Sequence, residues 1–307
     1  MKALVTGASG YVGTVLVRAL ADRGAVVTAT GRSPAKLAAA PWPRSVRRSA
    51  MDVLDPRSVR RVLHRSGRLD VVYYLVHSLG ERDYETLDER GARTFAAAAA
   101  EVNVGRIVYL GGLVPPAAEA ISRHLSSRDL VGQVLSQGPV DTVRFQAAAI
   151  IGAGSTPFEL MRHLVDRLPV VPLPPFMSRP MQPIGIDDVV HYLLASADPK
   201  ILPAGRYDIT GERVTTYAGL VRTYAEVAGL RRVFVPVPYL PPAGAASMIG
   251  PITPLDAELI GNLMPSLSNT MISSEQRIRR FIPDPLGGLM DLRESITRAL
   301  GQPAPVG

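Results

Sequence analysis

The chain has no cysteine, so disulfides, thiolate zinc sites, iron–sulfur clusters and a cysteine nucleophile are excluded together. Lysine is nearly missing as well: Lys2, Lys36 and Lys200 stand alone, and the formal charge of +7 comes almost wholly from arginines spread along the chain. A nucleic-acid footprint needs a clustered basic stripe, preferably with aromatics between, so no nucleic-acid partner is expected. Scattered positive charge suits anionic small molecules such as nucleotide phosphates. The opening MKALVTG lacks the apolar core and cleavage site of a signal peptide, which points to the cytoplasm. Charge is also absent from Val233 to Leu255, but prolines 236, 238, 241, 242, 251 and 254 interrupt that stretch. A spanning helix must satisfy its backbone internally, so no transmembrane segment is expected there. The segment reads as a buried loop and helix, as an apolar lid over a greasy substrate, or as a membrane-surface contact. No internal repeat is evident, and the tail GQPAPVG reads as disordered.

What is present is the alternation of βαβ units. Strand-length apolar runs at 2–6, 25–30, 70–76, 106–110 and 141–145, with a weaker one at 46–50, alternate with helical stretches such as 14–23 and 84–102. In 307 residues this predicts an α/β protein: a Rossmann-type, doubly wound parallel sheet over 1–150, with a smaller C-terminal region over 151–307 that mainly binds substrate. Residues 182–210 are expected to return to the sheet.

VTGASGYVG, residues 5 to 13, sets Gly7, Gly10 and Gly13 three apart, directly after a strand and before a helix. One glycine permits the tight turn, one lets backbone approach a pyrophosphate, and Gly13 allows close helix packing. The anion would sit on the free N–H groups of the helix start, with Ser9, Tyr11 and Val12 as further loop contacts. The second strand ends in TATGRSPAK, without the carboxylate that NAD-binding folds use on the ribose. Arg32, with Ser33 beside it, is placed to meet a 2′-phosphate, so NADP(H) is expected over NAD(H).

TGASGYVG resembles the glycine loop of extended and atypical short-chain dehydrogenase/reductases, including NmrA-like proteins. MDVLDP at 51–56 is similar to the Asp-plus-apolar pair that touches adenine in that superfamily, which implies Asp52 and Val53. YYLVHSLG at 73–80 falls where the fourth strand meets the cofactor, implying Leu75 and Val76. RFQAAAIIGAGS at 144–155 resembles the sixth strand beside the nicotinamide, implying Phe145 and Gln146. QPIGIDDVVHYL at 182–193 looks like the segment of extended members that returns to the sheet.

Reductases of this superfamily use a Ser after the fifth strand and a Tyr-x-x-x-Lys on the next helix. Here YLGGLVPP puts Gly111 and Gly112 at the Ser position, and SRHLSSRDL offers His124 and, four residues on, Arg128. That spacing sets both on one helical face. His124 is one candidate acid, although a nearby Arg favours neutral imidazole; Arg128 is assigned to the ribose or a phosphate. His77, at the carboxyl end of a buried strand, is the other candidate. His64, His163 and His191 lack ligand spacing, so no metal site is expected. The leading expectation is an NADP(H)-dependent oxidoreductase acting on an apolar small molecule without the usual catalytic set. The alternative is a non-enzymatic redox sensor or assembly factor of NmrA-like type.

Overall fold

The computed structural model describes residues 1–238 and 240–301, without the side chains of Ala243, Met248, Ile249 and Pro251. The tail expected to be disordered lies, beyond Gly301, outside the described residues. The N-terminal half alternates β1 (Lys2–Thr6), α1 (Tyr11–Asp22), β2 (Val26–Gly31), α2 (Pro34–Ala39), β3 (Arg47–Ala50), α3 (Pro56–Ser66), β4 (Val71–Tyr74), α4 (Tyr84–Glu101), β5 (Ile107–Gly112), α5 (Arg123–Ser136) and β6 (Thr142–Ala147). All pairings among these strands are parallel: β1 lies between β2 and β4, β3 flanks β2, and β5 and β6 follow β4. A seventh strand, Gly205–Ile209, joins β6 in parallel and completes the seven-stranded sheet.

Alternation along each strand builds two cores. Ala3, Val5, Tyr73, Val108 and Phe145 lie on the face covered by α1 and by the helix Ile186–Ala195, whereas Leu4, Val72, Tyr74, Ile107 and Tyr109 face α3, α4 and α5. Successive strand residues point to opposite faces, so a strand covered on both sides reads as a continuous apolar run. Strand order reverses between β1 and β4, whose ends are in register at Thr6 and Tyr74. Ligands of open α/β sheets bind outside the carboxyl ends at such a switch point.

Beyond β6 the chain forms α6 (Thr156–Arg167), α7 (Ile186–Ala195) and α8 (Tyr217–Val227), with short strands that pair outside the main sheet. Val170–Leu173 pairs in parallel with Val233–Pro236, so the charge-free segment begins as a strand, which the sequence reading did not foresee. It continues as a helix, Pro242–Ile249. Among the described residues, no helix is long and apolar enough to cross a membrane. The two halves are tied at the strand bases by Arg106, only 1% exposed, which donates to Asp141 and to the carbonyls of Ser196 and Leu202.

Candidate functional site

The glycine loop turns directly from β1 into α1. Gly7 has φ of +61°, and a Cβ there would lie 2.7 Å from the Leu75 carbonyl oxygen at the exit of β4. A Cβ on Gly13 would meet the Gly7 oxygen at 2.6 Å and Ala8 Cα at 2.8 Å. Neither site admits a side chain, because backbone on both sides cannot retreat. Gly10 is exposed and caps α1 without a side-chain bond, and the first turn carries no acidic residue. This is a cradle for an anion: backbone close by, first-turn N–H groups uncapped, positive end of the helix dipole in front. The residues present therefore fit a dinucleotide pyrophosphate.

Other expected contacts divide. Tyr11 sends its side chain away from the loop toward Gly152, and its hydroxyl is buried without a hydrogen-bond partner. Burial first, then Asp187 and Glu159, raises its pKa, so the phenol stays protonated. As a correction to the sequence reading, the Tyr11 side chain thus bridges toward the C-terminal region and does not line the loop. Val12 packs on the first core, and Ser9 stays half-buried beside the loop. Arg32 is exposed at the end of β2, with its guanidinium 3.8 Å from Glu81 of the segment after β4. Ser33 caps α2 by accepting from the Lys36 N–H. Asp52 is half-buried and accepts from the Leu54 N–H at 2.9 Å, whereas Val53 is 6% exposed, inside the second core. Phe145 corrects its expectation too: it is fully buried with its ring on Tyr192, so its side chain presents no surface to a ligand. Gln146 is 4% exposed and donates to Asp129. Leu75 and Val76 are partly open, next to Gly7.

The two candidate histidines, far apart in sequence, converge. His124 lies on the first turn of α5 and feels the positive fields of Arg128 and His77; its Nδ1 is buried without a partner. Burial, then Arg128, then His77 push its pKa down to about 3, so the ring is a neutral imidazole. His77 follows β4 on an exposed stretch of the crevice. Arg128 donates to the Leu110 carbonyl, lies 5.2 Å over the Tyr109 ring, and keeps Nη1 buried without a partner. Three polar groups therefore crowd the carboxyl ends of β4 and β5, two of them with buried nitrogen atoms that no protein group meets.

Several residues that hold this cluster were not read from sequence. The Tyr109 hydroxyl donates to the Arg128 carbonyl at 2.8 Å. Asp88 on α4 accepts from the Ser78 N–H at 2.7 Å and so fixes the segment carrying His77. Desolvation raises the pKa of Asp88, offset in part by Arg128. No motif marks either residue, since both act through chain that is remote in sequence. The glycine pair in β5 has its own physical reason. A Cβ on Gly111 would lie 2.9 Å from the Tyr109 ring, and one on Gly112 would lie 2.8 Å from Leu125 Cδ2. The ring at Gly111 is a firm obstacle, whereas the leucine tip at Gly112 can move.

An apolar cavity of about 160 Å³, partly open, is walled by Ile151, Leu160, Met161 and Leu164 together with Leu240, Ala245, Ile252 and Met264. Leu125, which follows His124, packs in the same apolar cluster as Ile151 and Met161. Tyr84, at the end of the His77 segment, packs with Leu160 and Met264. Tyr217 is the one lining residue with a polar side-chain atom among the described residues, and burial raises its pKa. Through Leu240, Ala245 and Ile252, the charge-free segment borders the cavity.

Residues 7–135 match a family described as NAD(P)H-binding. A comparison with curated proteins found no match. Among solved structures, the chain is similar to the Bordetella bronchiseptica enzyme WbmH in complex with NAD+, at TM-score 0.72 and 16% identity, over 98% of this chain and 97% of that one. It is similar also to UDP-glucose 4-epimerase of Thermotoga maritima with UDP-glucose, at TM-score 0.72 and 15% identity over 98% of each chain. A nucleoside-diphosphate-sugar epimerase from Staphylococcus aureus aligns at TM-score 0.73 and 15% identity, over 97% of this chain and 100% of that one. At these identities what is shared is the fold.

Proposed function

From the premise that this chain has the fold of the extended short-chain dehydrogenase/reductases and carries an NAD(P)H-binding segment over residues 7–135, we propose that it is an NADP(H)-dependent oxidoreductase for an apolar small molecule. The observation that carries this reading is that His77, His124 and Arg128 act on one another at the carboxyl ends of β4 and β5, while the adjoining Leu125 and Tyr84 pack with residues that wall the apolar cavity. The loop of Gly7, Gly10 and Gly13 with the first turn of α1 would hold the pyrophosphate. Arg32, released from Glu81, would hold a 2′-phosphate, and charge-assisted bonds of that kind are about twice as strong as neutral ones. Asp52, Leu75 and Val76 would flank the adenosine half, and Arg128 Nη1 would meet the ribose or a phosphate. When bound, the cofactor supplies or accepts the hydride.

His124 does not act as a charged acid. An imidazole held neutral down to about pH 3 keeps one ring proton and offers it as a hydrogen bond to a carbonyl oxygen, polarising that oxygen while remaining neutral. The apolar walls orient the substrate and exclude water, and Tyr217 contributes one protonated hydroxyl. Orientation alone supplies a large part of the rate in a hydride transfer. A second reading, a non-catalytic NADP(H) sensor of NmrA-like type, is favoured by one observation: Gly111, where the resemblance implies a serine, has the Tyr109 ring 2.9 Å from the place of a Cβ.

Calorimetric titration with NADPH and NADH tests the cofactor reading. Tighter NADPH binding that Arg32→Ala abolishes is expected, and equal affinities refute the phosphate assignment. Loss of NADPH absorbance with a panel of apolar carbonyl compounds tests the reaction. Compounds that bind in the cavity and leave NADPH unconsumed favour the sensor.

A further inference from the structure

The short parallel sheet of Val170–Leu173 and Val233–Pro236 turns an apolar face to solvent. Val233 is in register with Val170, and Val235 with Pro172, so these four side chains share one side of the ribbon. Val170, Val233 and Val235 are 51%, 60% and 40% exposed, a costly arrangement in water for neighbouring β-branched residues. The opposite side is spent inward: Val171 is fully buried. Pro172 belongs both to this face and to the wall of the apolar cavity, so the face and the cavity adjoin.

The rim is basic. Arg167 donates to the carbonyl of Ile252, another cavity wall. Arg231 and Arg232 precede the outer strand and share a shallow groove with it, Arg232 donating to the carbonyls of Val165 and Asp166, while Arg222 stacks 4.7 Å over Phe234 on the other side of the ribbon. Two acidic groups lie nearby, and each is already engaged: Asp166 faces Arg162, and Glu226 pairs with Arg293. The balance at the rim is positive, and the chain that follows, to Leu255, carries no charge.

We propose that this face docks on an anionic lipid surface, and that the cavity behind it draws an apolar substrate from that surface. Valines and prolines enter the boundary of the headgroups while arginines meet lipid phosphates, the arrangement by which interfacial proteins bind. The second half rests on the reading of the cavity as the substrate's binding place; the docking itself does not.

The experiment is co-sedimentation of the full chain with vesicles of phosphatidylcholine alone or mixed with phosphatidylglycerol. Binding to the mixed vesicles, weakened by salt, is expected. The triple variant Val170→Glu, Val233→Glu, Val235→Glu should lose about tenfold in partitioning, because carboxylates oppose both the apolar contact and the anionic lipid. All three sites are exposed and far from the glycine loop in sequence, so NADPH affinity of the variant, the measure of its folding, should stay at the parent value. No vesicle binding by the parent, or equal binding of parent and variant, overturns the proposal while leaving the oxidoreductase reading intact. A parent that is dimeric in solution and a variant that is monomeric would overturn it in favour of self-association. Failure of the parent to bind NADPH would instead strike the proposed function alone.

Discussion

Holding His124 neutral has a cost in acid that can be measured. In the unfolded chain its imidazole titrates near 6.5; in the folded protein burial, Arg128 and His77 depress this to about 3. Between those values the unfolded state binds the extra proton, so stability is fully present above pH 6.5 and falls as pH drops toward the folded value. At pH 5 the unfolded imidazole is 1.5 pH units below its pKa while the folded one is still neutral, which amounts to up to about 2 kcal/mol lost relative to pH 8. His124→Gln removes the titration and keeps an N–H donor of similar reach. Urea unfolding of parent and variant at pH 8 and pH 5 should show the parent losing up to about 2 kcal/mol more than the variant. His77 titrates in both chains and largely cancels in the difference. Equal losses would mean that His124 is not held neutral in the fold, and the case for it as a neutral hydrogen-bond donor would go with that result. The same suppression predicts turnover that is flat from pH 6 to 8, whereas a fall centred near an imidazole pKa would make His124 an ordinary acid.

Gly13→Ala should lower stability by about 1–3 kcal/mol and abolish NADPH binding, since its methyl would meet backbone on two residues of the loop; calorimetry and urea unfolding read the two effects. Restoring a serine should separate the glycine pair: Gly111→Ser presses on the Tyr109 ring that carries Arg128 and should cost about 1–3 kcal/mol, whereas Gly112→Ser presses on the end of a flexible leucine and should cost less. Equal melting temperatures for the two variants would contradict this. Arg106→Ala should cost about 3 kcal/mol, because it strips Asp141 and two carbonyls of their buried donor; unfolding within a few tenths of the parent would show that the staple is dispensable.

Much of the nucleotide half was legible in the sequence because it obeys local rules. Apolar runs of strand length can be buried only in a sheet covered on both faces, and three spaced glycines between a strand and a helix leave few other purposes. The expected strands appear within two residues at each end. Gly7 and Gly13 were assigned by spacing, and their neighbours at 2.7 and 2.6 Å supply the reason. Residues inferred by likeness of short motifs fared unevenly. Tyr11 and Phe145 sit at the expected positions in the chain, but the direction of a side chain depends on what packs against it, and theirs turn to Gly152 and Tyr192.

What the sequence determined by itself was a parallel α/β sheet with a glycine cradle, the absence of any thiol chemistry, and glycines, a histidine and an arginine where the resemblance implies a Ser, a Tyr and a Lys. Each follows from residue identity and spacing within a few turns of chain. Tertiary structure alone decided that His77 and His124, separated by a helix and a strand, both feel the Arg128 charge, and that burial first, then Arg128 and His77, keeps the His124 ring neutral. Folding likewise decided that glycines 111 and 112 are filled by Tyr109 and Leu125, and that a charge-free segment closes one side of an apolar cavity. Such facts lie beyond spacing rules because desolvation and contact are sums over neighbours that only the fold brings near.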